Sequence, residues 1–152
     1  MEVIGKIYCW FESLFGKNLA EYLWGWDCQA ESYINRNLFN YIGIISSIII
    51  VFSIATYYYF LDHPRLNRFK WWALWALITS FINFLLAGFW VQSHFLNERI
   101  GECLMYEEEV QRIFLSDCWW FGFVNFILSL ILFVFLSLFA KLGSRNCKYS
   151  PF

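Results

Sequence analysis

The chain has 152 residues, of which 60% are hydrophobic, 24% aromatic and only 15% charged, and its formal net charge at pH 7 is −1. This balance lacks the basic excess of a nucleic-acid-binding protein, so we expect no nucleic-acid partner. None of the 11 basic and 12 acidic residues falls in three segments, residues 38–61, 71–91 and 119–140. At about 1.5 Å per helical residue, each segment can cross the roughly 30 Å hydrocarbon core of a bilayer. The sequence therefore predicts an all-α integral membrane protein with three transmembrane helices.

Residues 1–37, before the first predicted span, contain apolar side chains at helical spacing. Between residues 3 and 26 these side chains recur three or four positions apart, and polar residues such as Lys6, Glu12 and Lys17 occupy the opposite face. This pattern predicts an amphipathic helix that lies at the membrane interface. The alternative is a helix packed on the surface of a partner protein.

The three predicted spans carry small and polar residues at intervals that place them on shared helix faces. Such residues let membrane helices approach closely and form hydrogen bonds between them. Asn83 and Asn125 lie at similar depths in antiparallel spans, so we expect their amides to bond each other. A polar path through the membrane is the alternative, but no predicted span carries a charge for ion selection or proton relay. The predicted helix-packing residues are Gly43, Ser47, Ala76, Ser80, Asn83, Ala87, Gly122, Asn125 and Ser129.

The segments outside the spans differ in charge, and the difference predicts the orientation of the chain. Residues 62–70 and 141–152 each contain three basic residues. Residues 1–37 contain three basic residues against five acids, and residues 92–118 contain two against six. Because basic segments stay on the cytoplasmic side, the loop 62–70 and the tail 141–152 are predicted to be cytoplasmic. The N-terminus and the loop 92–118 are predicted to lie outside, with a bacterial inner membrane as the expected location.

Four of the five cysteines fall in the two segments predicted to lie outside. These are Cys9, Cys28, Cys103 and Cys118, whereas Cys147 falls in the predicted cytoplasmic tail. An even number of cysteines in an oxidising compartment predicts two disulfide bonds, and four cysteines permit three pairings. The alternative is that some of them are buried free thiols.

The acidic loop 92–118 shows weak helical periodicity, which predicts one or two short helices interrupted near Gly101. Its most acidic stretch is the run Glu107, Glu108 and Glu109. A charge run of this kind is usually a solvated face; the functional interpretation is a docking patch for a basic partner or a divalent cation. Three consecutive carboxylates on a helix point in different directions, so they favour no metal site.

No motif for catalysis, phosphate binding or metal binding occurs in the sequence, so we expect no enzyme activity, no cofactor, no metal and no small-molecule substrate. The expected function is a non-enzymatic structural subunit of an oligomeric membrane complex, such as an envelope-spanning secretion or injection apparatus or a channel assembly. Its expected partners are membrane lipid and other subunits or further copies of the chain. One alternative is a self-assembling pore or membrane-disrupting effector of a toxin or phage-defence system. Another is a redox enzyme that uses the four outer cysteines.

Overall fold

A computed structural model describes residues 3–34, 36–60, 69–107 and 110–141 of the chain. The described residues are almost entirely helical, with two short hairpins between helices. The loop residues 61–68 and the tail residues 142–152, which include Cys147 and most of the predicted cytoplasmic segments, lie outside the described residues. The elements are α1 (Val3–Cys9), α2 (Glu12–Phe15), α3 (Lys17–Trp24), β1 (Trp26–Asp27), β2 (Ser32–Tyr33), α4 (Leu38–Ala55), α5 (Phe69–Leu96), α6 (Glu102–Met105), β3 (Tyr106–Glu107), β4 (Val110–Gln111) and α7 (Leu115–Ala140).

Three of these helices are long and apolar enough to cross a membrane. They comprise 22 residues in Leu38–Tyr59, 28 in Phe69–Leu96 and 26 in Leu115–Ala140, so the prediction of an all-α membrane protein is confirmed. The first includes α4 and most of the π-helical turn Thr56–Phe60 that continues it. α5 and α7 extend beyond the predicted bounds, because residues at a helix end keep helical backbone after the uncharged segment stops.

The N-terminal segment forms three short helices instead of the single helix that its periodicity predicted. The break between α2 and α3 falls at Gly16, whose φ of +88° is a conformation that glycine adopts at little cost. The amphipathic pattern is present, since one face is buried. On that face Tyr8 stacks on Phe39 of α4 with ring centroids 5.3 Å apart, and Phe15 meets Phe121 of α7 at 5.4 Å. The segment therefore packs on the spans of its own chain.

Two antiparallel hairpins lie in the segments outside the three long helices. β1 pairs with β2 through Trp26 and Tyr33, and β3 pairs with β4 through Tyr106 and Gln111. The short helix that follows Gly101 agrees with the sequence prediction. The hairpins were not predicted, because strands of two residues give no readable alternation of apolar and polar side chains.

The chain divides into two compact units, and each long helix contributes to both. The first unit comprises Met1–Ile44 and Phe84–Val124, and the second comprises Ile45–Asn83 and Asn125–Phe152. The first contains α1–α3, both hairpins and an aromatic core around Phe39. The core of the second is apolar and aromatic, and its buried residues are Ile50, Ile54, Tyr57, Tyr58, Ala76 and Phe133.

Candidate functional site

A disulfide bond joins two of the four cysteines that lie in the N-terminal segment and in the loop between the second and third spans. Cys28 lies between β1 and β2, Cys103 lies in α6, and their Cα atoms are 5.9 Å apart. The bond ties the segment before the first span to the loop between the second and third spans. Covalent linkage of these segments requires them to lie on the same side of any membrane that the spans cross.

The second predicted disulfide is not formed, because Cys9 and Cys118 are free thiols. Cys118 is completely buried in the first turn of α7, with its Sγ atom 4.0 Å from the carbonyl oxygen of Phe114. Cys9 is half-buried at the end of α1, and burial together with the nearby Glu12 carboxylate raises the pKa of its thiol. Cys118 fits the alternative of a buried free thiol, whereas Cys9 is a free thiol that is only partly buried.

In the second unit, the amide of Asn125 connects three helices. Its Nδ2 atom donates to the Ser46 hydroxyl oxygen at 3.0 Å and to the backbone carbonyl oxygen of Asn83 at 2.9 Å. Asn125 therefore bonds the backbone of Asn83 and not its amide. The Asn83 amide is fully buried and has no hydrogen-bond partner among the described residues, and the same holds for the hydroxyls of Ser80 and Ser129.

A second set of polar contacts in the same unit was missed by sequence reasoning. The hydroxyl oxygens of Ser53 and Thr79 lie 2.6 Å apart, and the indole nitrogen of Trp75 donates to the Ser53 hydroxyl at 2.8 Å. Thr79 also donates to the carbonyl oxygen of Trp75 at 2.9 Å. Polar residues within apolar spans indicated that hydrogen bonds between helices were present. The spacing of residues along one helix does not show which residue of another helix is the hydrogen-bond partner.

The small residues predicted to mediate helix packing contact other parts of the same chain. Gly43 lies against the side chain of Ile4. A Cβ atom at Gly122 would lie 3.0 Å from the carbonyl oxygen of Phe84 and 3.3 Å from the backbone of Gly88, so a larger residue would push α5 and α7 slightly apart. Of the other small residues predicted to mediate packing, Ala76 and Ala87 are buried and Ser47 is half-buried.

Glu107, the first residue of the acidic run, lies in a strand and not on a helix. Glu107 belongs to β3, where it pairs with Val110, whereas Glu108 and Glu109 lie outside the described residues. Among the residues that the structure describes, no group of three His, Cys, Asp or Glu side chains could hold a metal ion. Docking of a partner at this run stays a prediction.

A cavity of about 530 Å³ opens in the first unit. One of its walls is polar, because the Tyr22 hydroxyl and the Nδ1 atom of His94 form a hydrogen bond of 2.6 Å. Burial raises the pKa of Tyr22 to about 12 despite the opposing charge of Arg99, so the phenol keeps its proton at neutral pH. The cavity is lined by Tyr22, Arg36, Leu38, Tyr41, Trp90, His94 and Arg99. Its two arginines, Arg36 and Arg99, are far apart in the sequence and belong to no common motif, so the sequence did not indicate this cavity.

A second cavity, of about 480 Å³, lies beside the disulfide and shares Tyr22 and Arg99 with the first. Its lining includes the acidic residues Asp27 and Glu102. The Asp27 carboxylate accepts hydrogen bonds from the backbone nitrogens of Gln29 and Ala30 at 2.9 and 3.0 Å. Mixed charge gives this second cavity no preference for a ligand of either sign.

No protein family, curated protein or solved structure matches this chain. Its function must therefore be argued from its own chemistry.

Proposed function

We propose that the protein is a non-enzymatic structural subunit of an oligomeric membrane complex, of the kind that forms a secretion or injection apparatus or a channel assembly. The strongest support for this proposal is a set of exposed apolar side chains in or beside the two hairpins, outside the spans. Tyr33 and Ile34 are 54% and 67% exposed, and Tyr106 and Val110 are 50% and 59% exposed. Exposed apolar side chains that lie outside the membrane-spanning segments are typical of a surface that binds another protein.

The exposed apolar side chains Tyr106 and Val110 lie on either side of the acidic run in the sequence. Val110 pairs with Glu107, the first residue of the run. Apolar and acidic residues so close together in the sequence favour a partner whose surface is apolar and basic. The acidic charges would contribute mainly to the rate of association and its salt dependence, and the apolar contacts would contribute mainly to the lifetime of the complex.

The proposed location is the inner membrane of a bacterium, with the N-terminus and the loop 92–118 outside and the C-terminus in the cytoplasm. The Lys/Arg distribution supports this orientation. The Cys28–Cys103 bond supports it independently, because disulfides persist in the bacterial periplasm and are rare in the cytosol.

The proposal is tested by the size and composition of the complex released from native membranes in a mild detergent. We expect the wild-type chain to run in a complex of fixed stoichiometry that is larger than the free chain. Two variants should reduce that complex: Glu107→Gln/Glu108→Gln/Glu109→Gln, more visibly at low salt, and Tyr106→Ser/Val110→Ser at any salt concentration.

The matched control is Glu12→Gln/Glu31→Gln/Glu98→Gln, which removes the same charge from other parts of the chain. It should leave the complex intact. Recovery of the wild-type chain as a free monomer from its native membrane contradicts the proposal, and so does an equal loss of complex in the control variant.

A pore-forming or membrane-disrupting effector is the second candidate. It is favoured by the buried hydroxyls and amide of Ser80, Asn83 and Ser129, which have no partner among the described residues although they lie in span segments. Purified protein in liposomes separates the two candidates. A structural subunit leaves the liposomes sealed, whereas release of ions by the pure protein without any partner favours the pore.

A further inference from the structure

The cavity formed by Tyr22, Arg36, Tyr41, Trp90, His94 and Arg99 has a cationic lining without a counter-charge. Two guanidinium groups line it, and no carboxylate does. Neither Arg36 nor Arg99 forms an ion pair with an acid among the described residues. Guanidinium groups present several fixed N–H donors, and this arrangement suits the oxygen atoms of a phosphate.

The hydrogen bond inside the cavity adds a neutral polar wall to this lining. The Tyr22 phenol keeps its proton and lies 2.6 Å from Nδ1 of His94. When the phenol donates to Nδ1, the remaining proton of the neutral imidazole is on Nε2. The His94 ring then offers an N–H donor in addition to those of the two arginines.

The cavity lies at the ends of two spans. Leu38 and Tyr41 belong to the first turn of α4, and Trp90 and His94 belong to the last two turns of α5. Span ends lie at the level of the lipid headgroups, where tryptophan and tyrosine side chains are enriched. An arginine at that level is within reach of lipid phosphates.

From this lining and this position we infer that the cavity binds a phosphate group, carried either by the headgroup of an anionic phospholipid or by a soluble phosphate ester. Arg36 and Arg99 bind the phosphate oxygens, and the aromatic side chains of Tyr41 and Trp90 lie beside the rest of the ligand. The cavity volume of about 530 Å³ is large enough for a phospholipid headgroup. The inference does not depend on the proposed role in a complex, since it concerns a different surface.

The test uses the full chain, purified in a neutral detergent and titrated separately with phosphatidylglycerol, phosphatidylcholine and glycerol phosphate. The number of bound molecules is measured by native mass spectrometry, and the stabilisation is measured as the shift in thermal unfolding midpoint. We expect saturable binding of one equivalent of phosphatidylglycerol and weaker binding of the zwitterionic lipid. Saturable binding of glycerol phosphate in the absence of lipid, with an affinity equal to that of phosphatidylglycerol, identifies a soluble ester as ligand. Binding of phosphatidylglycerol without measurable binding of glycerol phosphate identifies the lipid.

The informative variant is Arg36→Gln/Arg99→Gln, and its control is Lys17→Gln/Arg112→Gln, which removes the same charge away from the cavity. Lys17 pairs with Glu21 at 3.8 Å and does not line the cavity. Loss of charge-assisted hydrogen bonds should weaken phosphate binding at least about tenfold in the first variant, and the control should stay within about twofold of wild type.

Two outcomes overturn the inference. One is the absence of saturable binding of both phosphatidylglycerol and glycerol phosphate to the wild-type chain, and the other is equal affinity in the arginine variant and its control. If the double variant does not fold, the single variants Arg36→Gln and Arg99→Gln replace it. Wild-type affinity in both single variants then overturns the inference as well.

Discussion

Asn125 is the residue at which the polar contacts of the second unit converge. Its amide donates to the hydroxyl of Ser46 and to the backbone carbonyl of Asn83, so one side chain links all three span helices. The two asparagines look equivalent in sequence, since both are amides at similar depth in apolar helices. Their roles differ because Asn83 contributes a backbone oxygen, which every residue has, whereas Asn125 contributes its side chain.

This difference gives a prediction for a matched pair of variants. Asn125→Leu removes both hydrogen bonds and should lower the free energy of unfolding by about 0.6 to 2 kcal/mol. Asn83→Leu keeps the backbone acceptor and removes a buried amide that has no partner among the described residues, so the free energy should change by less than about 0.5 kcal/mol or rise. Equilibrium unfolding in mixed micelles measures both. A larger loss in Asn83→Leu than in Asn125→Leu contradicts this assignment of roles.

At the scale of elements, the long helices could be predicted and the segments between them only in part. A charge-free stretch of more than 20 residues favours a membrane helix, and the three long apolar helices begin and end within a few residues of the predicted spans. The N-terminal helix was broken by the positive φ of Gly16, a local choice that periodicity does not reveal. The hairpins depend on pairing between strands of two residues. The cavity proposed to bind phosphate is lined by residues from three helices and by two arginines from the connections beside them.

The disulfide joins the N-terminal segment covalently to the loop between the second and third spans, and its removal should destabilise both segments. The Cys28–Cys103 bond closes a loop with a sequence separation of 75, and bridges of long loops typically contribute about 2 to 4 kcal/mol. Cys28→Ser/Cys103→Ser should therefore unfold at lower temperature than wild type. Reductant should lower the unfolding temperature of the wild type by the same amount and should not lower that of the variant any further.

Cys9→Ser serves as the control for this measurement, because Cys9 is a free thiol. It should keep the wild-type response to reductant. A wild-type chain whose unfolding temperature is unchanged by reductant would show that the bridge does not form in the cell.

At the scale of the whole molecule, the disulfide and the charge distribution support the same orientation from different residues. The bridge places residues 28 and 103 on one side of any membrane that the spans cross, and the charge of the basic loop 62–70 and tail 141–152 predicts that these two segments lie on the other side. The surfaces proposed to bind a protein partner and a phosphate both belong to the first unit. Both are accordingly proposed to face the outer compartment and its leaflet.

The orientation predicts how single cysteine probes react with a membrane-impermeant thiol reagent. Asn97→Cys, in the exposed turn after α5, should be labelled in intact cells, and Asn67→Cys should be labelled only after the membrane is permeabilised. The background carries Cys9→Ala, Cys118→Ala and Cys147→Ala, so that the native bridge persists and no other thiol reacts. Labelling of Asn67→Cys alone in intact cells inverts the topology. It would then place the disulfide in a reducing compartment, where the bond could not persist.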